Sequence, residues 1–335
     1  GSRHCMLLSQ TECVEVKGVY DILEEKNEAA RQKGFFAYGS YEAVLADPAV
    51  DIVLVAIPNH LHKGVVLQAL EAGKNVICEK PVTLSSKDLQ DILDTAERVG
   101  KQFTVHQNRR WDGDFRAMKQ IFDSKILGRV FNIESRVQGS RGIPSDWRTH
   151  KEFGGGMVLD WGVHLLDQLL QFDPFDKIKK VYCQLSYLLG NDCDDGMRAV
   201  LTFESGMTAL VEVGTCHFDA LPRFYMNGVI GTATIQDWQY DGRLVKLIKY
   251  DTADAVPVET AAGLTKTMAP RTEDELLRKP IPSAPEDVKN FYRNYCAALE
   301  GKEEIIVKNS EVMRVMKLME ACFRSYATGN AVDFE

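Results

Sequence analysis

The sequence predicts an α/β protein in two parts: a doubly wound parallel sheet over residues 1–125, then an α/β region over residues 126–335 built on an open, mostly antiparallel mixed sheet. Three observations lead there. Short β-branched runs alternate strictly with helical segments through the first part, which requires crossover connections and hence parallel strands covered on both faces. After about Arg129 long alternating strands follow one another. The chain of 335 residues is also long for a single core.

The elements follow in order. Residues Ser2 to Ser9 read as a helix, and VEVKGVYD as the strand after it, ending at Asp21. Four more β-branched runs (FFAYG, VDIVLVAIP, KNVICEKP, QFTVHQN) are spaced by the helical EEKNEAARQKG, SYEAVLADP, HKGVVLQALEAG and SSKDLQDILDTAERVG. DIVLVAI is continuously apolar, as a central strand buried on both faces requires. In the second part the alternating segments are RVFNIESRVQG, KIKKVYCQLSYL, RAVLTFESGMTALVEVGTCHF, YMNGVIGTATIQDW and RLVKLIKYD. The stretch from Ala255 to Pro285 reads as a long surface excursion, and the helices PEDVKNFYRNYCAALEG and NSEVMRVMKLMEACFRSYATG close the chain.

Composition narrows the partners. A net charge of −8 without basic blocks speaks against nucleic acid or an anionic membrane surface. No apolar run is long enough to span a membrane, and no secretory leader pattern occurs. The eight cysteines are scattered, with no CxxC pair and no zinc-site spacing, so they read as reduced thiols in the cytoplasm and no metal is expected.

A doubly wound sheet invites a dinucleotide, whose fingerprint is GxGxxG after the first strand and an acid about 20 residues further on. No GxGxxG occurs here, yet Asp21 lies 20 positions after Gly1. Gly1 is therefore read as the third glycine of a fingerprint whose first strand and first two glycines are missing; the other reading makes Gly1 and Ser2 an expression scar. Asp21 would then accept from a ribose 2′-hydroxyl and repel a 2′-phosphate, favouring NAD over NADP, although an acid after a strand also caps the next helix.

Ligands of such sheets sit at the carboxyl ends of the strands. There the sequence places PNHLH (Pro58 to His62) and EKP (Glu79 to Pro81). His60 and His62 have no third ligand for a metal; one of them caps the next helix or touches the cofactor. Lys80 is held between a strand and a proline, whose peptide bond has a cis form open to it. Later, GGGMVLDWGVHLLD sets Asp160, His164 and Asp167 at helical spacing on one face of an otherwise apolar helix, and buried ionisable groups need each other or a ligand. A solvated stripe would use the same spacing.

In this order and spacing PNHLH, EKP, QNRRWD, DWR and GGGMVLDWGVH resemble the glucose-fructose oxidoreductase / inositol dehydrogenase (Gfo/Idh/MocA) family, over essentially the whole chain. The resemblance implies an N-terminal Rossmann domain, a C-terminal α/β domain and a nicotinamide cofactor between them. It implies Lys80, Asp160 and His164 as the catalytic group. It implies cofactor contacts from Pro58, Asn59 and His62, from Glu79 and Lys80 of EKP, from Asn108 of QNRRWD, and from Trp147 and Arg148, joining Gly1 and Asp21. Trp161, where many relatives carry an aliphatic residue, is a departure.

The chemistry expected is reversible hydride transfer between NAD, less so NADP, and a secondary alcohol of a sugar, inositol or related polyol. His164 is the base, Asp160 one turn earlier orients it or the substrate, and Lys80 stabilises the alkoxide. Asp167 is structural or supports the others. Two alternatives stay open: a glycosidase using NAD for transient oxidation, which releases no free NADH, and a catalytically silent sugar or NAD sensor. Arg109, Arg110, Arg141 and Arg148 leave a carboxylated or phosphorylated sugar possible. A homodimer or homotetramer through the late sheet is expected if one of its faces lacks helices.

Overall fold

The computed structural model describes residues 1–249, 257–265 and 269–334. Helix α1 (Ser2–Leu8) occupies the expected place. VEVKGVYD does not become a strand. It makes a single parallel bridge, Val19 to Ala37, closed by Val19 N–H to Phe36 O and Tyr38 N–H to Val19 O. The reason is pairing: among the described residues nothing meets the other edge of this segment, and one bridge does not hold a ladder. Of the five expected strands, FFAYG therefore also contributes only Ala37, and three form a sheet.

Those three follow α2 (Glu24–Arg31) and α3 (Tyr41–Ala46). They are β1 (Ile52–Val55), β2 (Asn75–Cys78) and β3 (Phe103–Val105), parallel and in that order, with α4 (His62–Glu71) and α5 (Ser86–Val99) as crossovers. The ends of α5 follow local chemistry. Ser85 accepts from the Asp88 N–H at its start, and Gly100 takes a left-handed turn, φ +64°, at its end. Val53, Val55, Val76, Ile77, Phe103 and Val105 are all buried, as strands covered on both faces require.

After α6 (Gly113–Asp123) the chain enters a nine-stranded sheet. Its strands are β4 (Val130–Gln138), β5 (Ile178–Ser186), β6 (Gly196–Phe203), β7 (Thr208–Gly214), β8 (Phe224–Gly228), β9 (Gly231–Ile235) and β10 (Gly242–Leu247). A small separate hairpin, β11 (Val258–Thr260) with β12 (Gly263–Thr265), precedes β13 (Leu276–Pro280). The order is β13-β10-β9-β8-β4-β7-β6-β5-β14, where β14 is Val332–Asp333, and β4 with β7 is its parallel pair. Helices α7 (Val163–Phe172) and α9 (Asn309–Thr328) cover one face, burying Val181, Ala199, Val211 and Phe224, while Tyr182, Arg198 and Val200 point away from them. Helix α8 (Lys289–Leu299) packs on α1.

Two segments read as continuous strands are hairpins, β6/β7 and β8/β9. The expected excursion from Ala255 to Pro285 is corrected in part: its Leu276–Pro280 pairs with β10 as an edge strand. Tyr250 and Asp251 of RLVKLIKYD, and Ala255, Val256 and residues 266–268 of the excursion, lie outside the described residues. All eight cysteines are free thiols.

Candidate active site

A cavity of about 360 Å³ opens at the carboxyl ends of the three parallel strands. Gly1, Arg3 and His4 line it from α1, Pro58 and Asn59 from the loop after β1, and Glu79 and Lys80 from the loop after β2. His106 and Asn108 follow β3, while Trp147, Arg148 and Asp160 come from the second part of the chain. Nine of the residues singled out from the sequence thus meet here: Gly1, Pro58, Asn59, Glu79, Lys80, Asn108, Trp147, Arg148 and Asp160.

Two do not. His62 is fully buried, and its ring nitrogens lie 2.9 Å from the carbonyl oxygens of Ile57 and Pro81. It ties the loop after β1 to the loop after β2 instead of touching a ligand. Asp21 is exposed, lies outside the cavity lining, and accepts from the Leu23 N–H at 2.9 Å, an Asx turn ahead of α2. At Gly1 a Cβ would meet nothing within 4 Å, so no close approach demands a glycine there.

The helix carrying the acids is not a uniform α-helix. Residues Val158–Gly162 form a π-helical turn, and the Val163 N–H reaches back five residues to the Val158 carbonyl. The wider turn breaks the i, i+4 register. Asp160, His164 and Asp167 consequently do not form one column, and the expected orientation of His164 by Asp160 is replaced by another pairing. Lys80 Nζ donates to the Asp160 backbone oxygen at 2.7 Å and to Oδ1 at 2.9 Å. Arg148 Nε stands 3.8 Å from the same Oδ1. Asp167 faces the opposite way and holds Arg110 in a bidentate pair at 2.6 and 2.8 Å.

His164 is buried and its Nδ1 has no partner. Burial, then the charges of Lys80 and Arg109, push its pKa well below the usual histidine value, so at neutral pH the imidazole is uncharged.

Sequence reasoning missed the group that fixes Lys80. Glu79 Oε2 accepts the Lys80 N–H at 3.0 Å, while Oε1 accepts from His4 Nε2 at 2.7 Å and His106 Nδ1 at 2.9 Å. The Tyr292 hydroxyl completes the chain, donating to His4 Nδ1 at 2.7 Å. Burial pushes the Glu79 carboxyl up, but the bonds from His106 and His4 win and hold it far below the ordinary carboxylate range. His4, Glu79 and His106 are also the group of metal-ligating type among the described residues, their ligand atoms within 4.8 Å of one another. The hydrogen bonds already satisfy Glu79, so we read them as a clamp on the lysine loop. The Lys80–Pro81 peptide is cis.

Asp194 was also missed. Its Oδ2 accepts the Val158 N–H at 2.7 Å and its carbonyl accepts from Met157, which caps the helix of Asp160 and His164 from a distant loop. The triple glycine makes this possible. At Gly156, φ +102°, a Cβ would stand 2.3 Å from Asp194 Oδ1, and at Gly154, φ +78°, it would collide with Leu84. Gly154 O in turn accepts from buried Asn59 Nδ2 at 2.8 Å, joining the two halves of the cleft.

A nicotinamide cofactor fits these residues. The cleft lies at the strand ends where dinucleotides bind, and the buried Asn108 Oδ1 has no protein partner and waits for a donor. A parallel α/β domain with such a cleft, facing a neutral buried histidine and a paired lysine, defines the class of nicotinamide-dependent oxidoreductases. The comparisons agree. Residues 1–107 match the family model described as oxidoreductase family, NAD-binding Rossmann fold, and residues 115–234 match the GFO/IDH/MocA C-terminal domain. The chain belongs to the GFO/IDH/MocA oxidoreductase family.

An NAD-binding protein from Listeria innocua superposes with a TM-score of 0.95 at 50% identity, covering 99% of this chain and 95% of that one. A D-xylose 1-dehydrogenase (NADP(+)) from Haloferax volcanii is 30% identical over 89% of this chain and 85% of its own length. A scyllo-inositol 2-dehydrogenase (NADP(+)) from Bacillus subtilis is 30% identical over 38% of this chain and 36% of its own. Among the described residues no helix is long and apolar enough to cross a membrane.

Proposed function

We propose that the protein transfers hydride between nicotinamide and a secondary alcohol of a sugar, inositol or related polyol, with Lys80, Asp160 and His164 as its reacting group. The observation that carries this is the pairing of Lys80 with the backbone carbonyl and Oδ1 of Asp160 in the cleft, near a histidine that burial keeps neutral. The nicotinamide, when bound, supplies the hydride acceptor. His164 takes the hydroxyl proton, for which a neutral imidazole is the right form. An ammonium has three N–H donors and Asp160 occupies two, so the third remains for the developing alkoxide. Asp160 holds that ammonium in place. Asn59, Trp147 and Arg148 contact the cofactor, residues 1–125 forming its domain and residues 126–335 the substrate and oligomerisation domain.

The test is a panel of sugars and inositols with NAD and NADP, followed at the NADH absorbance. Stoichiometric NADH from any of them supports the reading and excludes the transient-oxidation glycosidase; the absence of turnover across the panel removes it.

We favour NAD over NADP on the carboxylate of Asp21, whose second oxygen is left over from its turn to the Leu23 N–H. Asp21→Ala should narrow the NAD preference; a wild type that works equally well with NADP overturns it. The face of the large sheet that lacks helices, where Val200 is exposed and Arg136 sits between Glu134 and Glu212, is our proposed surface for a homodimer or homotetramer. Sedimentation at micromolar concentration checks it. The eight free thiols fit the reducing cytoplasm, which we propose as the location.

A further inference from the structure

We propose that Arg109 orients the substrate, its guanidinium donating to a hydroxyl on the carbon next to the one oxidised, so that the site selects uncharged vicinal diols; this rests on the polyol reading above. Arg109 stands in the short turn Asn108–Trp111 after β3. Its backbone carbonyl accepts from Gln168 Nε2 at 2.7 Å, and Gln168 lies one turn beyond His164 on α7. The helix that carries the base therefore also sets the position of Arg109.

The guanidinium is held on three sides. Its carbon lies 4.1 Å from the centre of the Trp161 ring and 5.6 Å from that of Trp238, and Nη1 donates to Asp112 Oδ2 at 2.9 Å. Planar stacking of this kind suits arginine and not lysine. Trp161 meets the His164 ring edge-on, with centroids 5.9 Å apart, so one indole touches both the base and the arginine.

Two polar atoms here are buried without a protein partner: Arg109 Nε and His164 Nδ1. Native interiors rarely leave such atoms unpaired, and where they do a ligand is a usual reason. A pair of neighbouring hydroxyls answers both needs, one losing its proton to the imidazole and the other accepting from the guanidinium.

The charge pattern selects among diols. Five cations around Asp160 and His164 already hold an acid: Lys80 with Asp160, Arg109 with Asp112, Arg148 with Asp146, Arg110 with Asp167 and Glu311, and Arg223 with Asp114. A carboxylate or phosphate binding at any of these five would compete with the acid already there, and Arg3 lies on the α1 side of the cavity. Trp238 is 45% exposed on the turn after β9 and forms the outer cover of Arg109. A bound ring replaces water against it.

The experiment compares wild type, Arg109→Lys and Arg109→Met on cyclohexanol, trans-1,2-cyclohexanediol and an inositol, with D-glucose against D-glucuronate for charge. Turnover is read as kcat/KM and binding as tryptophan fluorescence, and circular dichroism shows that the variants fold. Wild type should prefer the diol over cyclohexanol by tenfold or more, and both variants should lose most of that ratio. Removing the positive charge in Arg109→Met should also move the acid limb of kcat/KM upward, which Arg109→Lys should not.

An unchanged diol preference in both variants, or a preference for glucuronate, overturns the proposal while leaving the polyol reading intact. Fluorescence quenching by inositol that depends on Arg109, without turnover, supports the proposal and removes the polyol oxidation. No quenching and no turnover removes both.

Discussion

The helix that begins at the triple glycine carries two ion pairs of the same chemical type and opposite use. At one end Lys80 and Asp160 keep 17% and 20% of their side chains exposed, and the pair faces the cavity. Further along, Arg110 and Asp167 keep 5% and 2%, and Arg110 also donates to Glu311. The first pair retains a free N–H and room for a ligand. The second is saturated within the protein. What separates a working pair from a structural one is thus not residue type but whether the donors are used up.

The largest effect should come from breaking the buried pair. Asp167→Ala breaks the bidentate half of this buried network and leaves the Arg110 guanidinium with Glu311 alone of its two acids, and breaking a buried pair costs about 3–5 kcal/mol. Thermal unfolding should fall steeply while the kcat of whatever folds stays near wild type; a full loss of kcat with unchanged stability would reverse the two assignments. Next come His164→Ala and Lys80→Ala, each expected to lower kcat by roughly 10²-fold or more, about 3 kcal/mol, with little change in melting. Cofactor affinity should change less for His164→Ala. Wild-type turnover by His164→Ala would remove its role as base.

Smaller effects sharpen the contrast. Asp194→Ala, which leaves the Val158 N–H without its cap, should cost about 1 kcal/mol, whereas Asp194→Asn keeps an acceptor there. Burial raises the Asp194 pKa to about 6 from 3.8, despite the N–H groups it accepts. The folded state therefore binds this proton more tightly than the unfolded chain. Its contribution favours folding at low pH and fades as pH rises from 3.8 to about 6, so wild type should lose stability relative to Asp194→Asn across that window. A constant difference between the two would show that Asp194 does not titrate there. The smallest effect is kinetic. Because burial lowers the His164 pKa, the acid limb of kcat/KM for oxidation should fall below pH 6.5, the ordinary value.

Much of this was legible in the amino acids. The strict alternation up to QFTVHQN is a long-range pattern, and it led correctly to parallel strands and to the loops holding Asn59 and Lys80. What was not legible depends on contacts between distant segments. Tyr292 reaches His4, and through it Glu79, from near the end of the chain, and Asp194 reaches Val158 from a loop between strands, and neither leaves a local signature. The glycines at 154 and 156 were a signal that something must pass close by, without naming Leu84 or Asp194. VEVKGVYD has the residues of a strand but not the neighbours of one, and β propensity is a statement about neighbours. His62 was misassigned because a buried imidazole between two carbonyls and one touching a ligand have the same sequence.

The π-helical turn at Val158–Gly162 makes the active site a matter of counting. A single residue removed there would restore the regular helix and rotate everything before it by about 100° relative to His164. Asp160 would turn away from Lys80 with every side chain still present. The length of this stretch therefore matters as much as the side chains it carries. The pairing of lysine and aspartate is written in the reading frame of the helix as much as in its letters.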